Sequence, residues 1–240
     1  LTISAYFTPN FSFFSIFFLY KFFLFYKLKK ETFIIILINL ILASPAIYFI
    51  ISKDYYLFNS TISTIDNYIK YNLSNKIIII SSMCFLFFLP FMQAKKLINQ
   101  INKAFKIDNT FFILLLFICV NLYYYNFNLG PSNSGGGIFY HLSNLLFNNS
   151  LILFFVFFIF VYLLKYLNLY NFNNIFLFVI LVFYNLQFTI YYKYFDPLIF
   201  FILLFMIKFD NLKIIERSKK YYLFYLIFLT LNFSKQFLTY

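Results

Sequence analysis

The sequence predicts an all-α protein: a polytopic transmembrane bundle of about eight spans, with short interfacial helices between them. Three observations carry that expectation. Charge sits almost entirely in short gaps between long apolar, aromatic-rich runs, and residues 32–51 contain no side chain charged at neutral pH, enough as one helix to cross a hydrocarbon core. Of the 240 residues 63% are hydrophobic and 11% charged, too little polar surface for a soluble domain of this length. Finally, the basic residues fall into alternately lysine-rich and lysine-poor gaps.

The expected spans are residues 11–26, 32–51, 77–92, 111–125, 151–169, 175–192, 197–207 and 221–233. The first contains Lys21, which would snorkel or face a polar interior. The seventh is short, so it would tilt or start earlier. Lys27, Lys29 and Lys30 follow the first span, and Lys95, Lys96, Lys103 and Lys106 the third. Lys165 ends the fifth, and Lys208, Lys213, Arg217, Lys219 and Lys220 follow the seventh. The opposite gaps hold Lys53, Lys70, Lys76, Lys193 and Lys235. The richer face is expected to be cytoplasmic, which makes the chain a multi-pass protein of a bacterial-type inner membrane with both chain termini exoplasmic.

Two exoplasmic stretches are more than turns. Residues 53–76 place Ile62, Ile65 and Ile69 on one face of a helix at the membrane surface. Residues 126–149 open with a glycine cluster and continue as a short amphipathic pattern. The basic loop 93–110 is expected to hold another interfacial helix. Leu at position 1, with no basic leader before the first apolar run, points to a fragment lacking its N-terminal part. Residues 1–240 would then form a single transmembrane domain or part of one.

Composition also bounds the partners. A net charge of +12 would suggest nucleic acid in a soluble protein, but here it is spread over inter-helix gaps, so membrane lipids are the expected partner and nucleic acid is not. Cys84 and Cys119 both fall in apolar runs and read as small hydrophobes, and no metal site or cofactor is assigned. The 42 Phe and 23 Tyr, with abundant Ile, Asn and Lys, match an AT-rich coding bias, so single residues of these types say less than usual.

Two places could carry chemistry. Gly135, Gly136 and Gly137, in a chain with 4 Gly, imply left-handed backbone or close approach. They either edge a cavity with free N–H groups or form a flexible connection, and His141, the single histidine, follows them. The second place is the corner of Tyr191, Tyr192, Lys193 and Tyr194, ahead of Asp196 and Pro197. The lysine could hold a phosphate and the tyrosines could stack on sugars. The alternative is an aromatic belt with one snorkelling lysine, Asp196 as helix cap and Pro197 in the first turn.

Lys193-Tyr194-Phe195-Asp196-Pro197-Leu198 resembles the Arg/Lys-Tyr-x-x-Pro-Leu element in later spans of GT-C-type glycosyltransferases, which use polyprenyl-phosphate-linked sugars. The resemblance implies that Lys193 and Tyr194 lie near the phosphate of a lipid-linked sugar donor. It also implies transfer of a sugar on the exoplasmic face to an envelope lipid, polysaccharide or protein. Tyr191, Tyr192, the glycines and His141 would border that site. The family's acidic pair in the first exoplasmic loop has no counterpart here. Asp54 and Asp66 do not match it, so the catalytic base is expected upstream of Leu1. The rival expectations are a non-enzymatic transporter or scaffold subunit and an envelope-polysaccharide polymerase. Ion-driven transport is disfavoured, because Lys21 is the one ionisable side chain placed inside a span.

Overall fold

A computed structural model describes residues 12–27, 29–53, 73–88, 107–127, 135–166 and 171–184, with positions 190, 195, 198, 199, 202, 206, 207 and 226. The described residues form seven α-helices and no strand. In chain order they are α1 (Ser12–Tyr26), α2 (Lys30–Lys53), α3 (Leu73–Phe88), α4 (Asn109–Tyr123), α5 (Gly137–Phe147), α6 (Leu151–Tyr166) and α7 (Phe172–Tyr184).

The transmembrane bundle is corrected by these helices. Among the described residues none is long and apolar enough to cross a membrane. Six of the seven run 11–16 residues. At 1.5 Å per residue that is roughly 16–24 Å, short of a hydrocarbon core of about 30 Å. The inner-membrane localisation and the assignment of gaps to two sides of a bilayer fall with the spans. The expected seventh and eighth spans, and the surface helices of residues 53–76 and 93–110, lie largely or wholly outside the described residues.

The physical reason is visible in α3. A helix that is apolar all round can be enclosed by other helices as readily as by lipid. α3 is enclosed: Ile78, Ile79, Ile80, Met83, Cys84, Phe87 and Phe88 are all buried, on every side of the helix. It packs against α4, α5, α6 and α7, with α6 its most extensive neighbour. The short helix after the glycines, expected at a membrane surface, is α5, and it packs on α3 and α6 instead.

α1 meets α7 through aromatic side chains one helical turn apart. Phe14 stands edge-on to Tyr184 at 5.8 Å, Phe17 lies 6.0 Å from Phe176, and Tyr20 lies 5.3 Å from Phe172. The order of contacts makes the two helices antiparallel. Lys21 extends this row and donates from Nζ to Asn173 Oδ1 at 2.7 Å, which gives its charge a protein partner. α1 ends where Lys27 turns left-handed at φ 55°. Thr32 then donates to the Lys27 carbonyl and opens α2. α2 contacts α1 and leaves Phe33, Leu37, Leu40 and Ile41 exposed around its circumference. Apolar area on that scale requires an apolar cover.

α4 and α6 are also antiparallel, pinned at both ends. At one end Tyr125 Oη and Ser150 Oγ lie 3.3 Å apart and the Tyr125 ring stands edge-on to Phe154. At the other, Asp108 is the N-cap of α4 and accepts from the Phe111 N–H at 2.8 Å. The same carboxylate pairs with Lys165 in the last turn of α6 at 2.7 Å. Lys165, then Thr110 and the Phe111 N–H, hold the Asp108 carboxyl far below the usual carboxylate range. A depressed folded-state value gives a contribution that is complete above the unfolded carboxylate's pKa of about 4 and is lost as pH falls below it. Urea titrations at about pH 7 and about pH 3 should therefore show a larger acid loss in the wild type than in Asp108→Asn. Equal losses would assign the acid sensitivity elsewhere.

Candidate functional site

The glycines form a built corner. Gly136 sits at φ 82° and Gly137 at φ 79°, the left-handed region that side chains avoid. Space is as restrictive as torsion. A Cβ on Gly136 would lie 2.6 Å from Tyr140 Cδ1 and 2.9 Å from Phe127 Cε1, and one on Gly137 would meet Met83 at 3.3 Å. The loop thus lets α5 start directly against α3. Phe127 and Tyr140 close over it edge to face at 5.1 Å. Asn75 in the first turn of α3 fixes the approaching chain by a reciprocal pair of bonds with Asn126, at 2.9 and 3.0 Å.

Gly136 N–H donates to the Ile190 carbonyl at 2.9 Å. This bond joins the glycine loop to Ile190, in a segment distant in sequence. Of that segment Ile190, Phe195, Leu198 and Ile199 are buried, with the Phe195 ring 6.3 Å from Tyr184. Tyr191, Tyr192, Lys193 and Tyr194 lie outside the described residues. Gly135 is half-buried, and His141 is exposed with its ring edge-on to Tyr140 at 5.6 Å.

Lys76 belongs to this corner and was counted in the sequence as a gap residue. It is 1% exposed, and burial pushes its ammonium down to about 7. Lys76, Ile79 and Met83 are spaced to share one face of α3, and Gly137 lies against the latter two. The signal that would have found it is the run Ser74-Asn75-Lys76, which reads as a polar first turn of α3 rather than as the end of a loop.

A second feature had no sequence signal. Between α3, α4, α6 and α7 lies a cavity of about 360 Å³. Phe88, Ile113, Phe117, Leu164, Leu177 and Phe178 are typical of its wall, and residues 199, 202 and 207 close one side. Among the described residues its polar lining is Ser81 and Asn174, and no Asp, Glu, Lys, Arg or His lines it. Cys84 also faces it, but burial pushes the thiol up to about 12, so it is a neutral S–H and not a nucleophile. Such a wall can hold an apolar guest. Four helices far apart in sequence build it, which is why periodicity within each helix did not reveal it.

Comparison with protein-family models, curated proteins and solved structures returned no match. No family is assigned. The glycosyltransferase resemblance accordingly rests on residues 193–198 alone.

Proposed function

We propose that this chain binds an apolar, chain-like molecule in the cavity between α3, α4, α6 and α7. The observation that carries the reading is the cavity itself: about 360 Å³, lined among the described residues mostly by aliphatic and aromatic side chains, with no Asp, Glu, Lys, Arg or His. That volume lies within the roughly 300–1,000 Å³ usual for small-molecule sites. Each methylene moved from water into such a site contributes about 0.8 kcal/mol, close to a fourfold gain in affinity.

The chain contains no Trp, which makes a direct test available. Phe178 is half-buried on the cavity wall, and Phe178→Trp places a single fluorophore there. Titration with terminally brominated alkanes of increasing length should give saturable quenching. Affinity should rise about fourfold per methylene and then level off when the cavity is full. Absence of saturable quenching, or a rise without a plateau, would remove the cavity as a binding site.

Sugar transfer from a polyprenyl-phosphate donor to a lipid, polysaccharide or protein acceptor is the second reading. Its support is the Lys193-Tyr194-x-x-Pro197-Leu198 element together with the Gly136–Ile190 bond beside it. In that reading the cavity takes part of the prenyl chain and Lys193 holds the phosphate. The same reporter separates the two readings. A short prenyl phosphate that displaces the quencher better than the matching prenol, with the advantage lost in Lys193→Ala, favours the donor. Equal displacement favours a plain apolar ligand.

A further inference from the structure

Ser81 is the anomaly in the cavity. It is 1% exposed and lines the wall on the same face of α3 as Cys84 and Phe88. The neighbouring Ser82 satisfies its hydroxyl in the ordinary helical way, donating to the Ile79 carbonyl at 2.7 Å. Among the described residues the Ser81 hydroxyl has no hydrogen-bond partner. A buried hydroxyl left in that state costs stability, and native proteins retain few of them without a use. The rest of the wall sharpens the point, since among the described residues nothing charged lines the cavity and the Cys84 thiol is a weak, neutral group.

We infer that Ser81 is the polar contact of this cavity and that its ligand is an uncharged long-chain molecule with one hydrogen-bonding oxygen, of the class of fatty alcohols, aldehydes and esters. The inference rests on the apolar-ligand reading and adds the head group to it. A hydroxyl can donate to a carbonyl or alcohol oxygen and can accept from an alcohol, so it serves each member of that class. A carboxylate or phosphate buried here would lose its hydration and meet no counter-charge among the described lining residues, which disfavours an anionic group inside the cavity. An alkane would fit the wall but leave the Ser81 hydroxyl unsatisfied.

The test uses the full chain carrying Phe178→Trp, with and without Ser81→Ala, and three probes that displace the brominated quencher: nonane, 1-octanol and octanoate. Nonane and octanol have the same number of heavy atoms, so their affinity ratio isolates the oxygen. Ser81→Ala should weaken octanol by about tenfold while leaving nonane unchanged or slightly tighter. At neutral pH octanoate should bind at least tenfold more weakly than octanol to the Ser81 protein. An octanol-to-nonane ratio that Ser81→Ala does not change overturns the inference, as does octanoate binding on a par with octanol. Nonane binding to both proteins shows that the cavity and the fold are intact, so failure of the head-group assignment stays distinct from failure of the cavity reading, in which no probe displaces the quencher.

Discussion

Lys76→Met should stabilise the protein at about pH 6 by an amount on the order of 4 kcal/mol and abolish a rise in stability toward alkaline pH. Lys76 is enclosed in the first turn of α3, and its folded-state value is lowered to about 7 by desolvation. An unfolded lysine titrates near 10.4. Between these values the unfolded chain holds a proton that the folded chain has released, so raising the pH favours folding across that window. Below it both states are charged, and the folded state carries the cost of a desolvated ammonium. Methionine has a similar length and no charge, and replacing buried ionic groups with apolar ones is often stabilising. Urea denaturation at about pH 6 and about pH 10 checks the result: the wild type should gain stability between the two, the variant should not. A wild-type stability independent of pH would show that Lys76 keeps its proton in the folded state.

Gly136→Ala should have an effect of similar size and opposite sign, a loss of roughly 2–4 kcal/mol. Two independent costs add. The backbone at φ 82° is strained for any residue with a Cβ. The new methyl would also lie 2.6 and 2.8 Å from ring atoms of Tyr140 and 2.9 Å from Phe127. Both rings are buried against each other, so neither has an easy way out. Relief by a shift of the loop would lengthen the Gly136–Ile190 hydrogen bond and detach the glycine corner from the residues leading to Lys193. The midpoint of thermal unfolding reads the loss directly. A variant as stable as the wild type would mean that the loop relaxes without cost and that its left-handed backbone is not required.

Much of the helical layout was legible in the sequence. Residues 11–26, 111–125 and 151–169 were marked by their apolar runs, and α1, α4 and α6 occupy them closely. The glycines announced a left-handed start to α5 because few residues tolerate one. What such runs cannot report is the medium around them. The Ile78–Phe88 stretch of α3 has the hydropathy of a membrane span and the environment of a protein core, because the helices that surround it are equally apolar. The start of α3 misled as well, because the helix already covers Leu73–Lys76, ahead of its apolar stretch. The site was half legible: the glycines were visible, but the Gly136–Ile190 hydrogen bond joins segments distant in sequence. Ser81 and Lys76 became distinctive only through burial, which no local pattern encodes.

The pairing of α1 with α7 has a consequence for biosynthesis. Lys21 finds Asn173 at a separation of 152 positions, and the Phe14–Tyr184 contact spans a greater separation still. At a ribosomal pace of roughly 5–20 residues per second, the phenylalanine stripe of the first helix waits about ten to thirty seconds for its mate to be made. Through that interval the nascent chain presents sticky aromatic rings with nothing native to cover them, and this is where a holding chaperone has the most to shield.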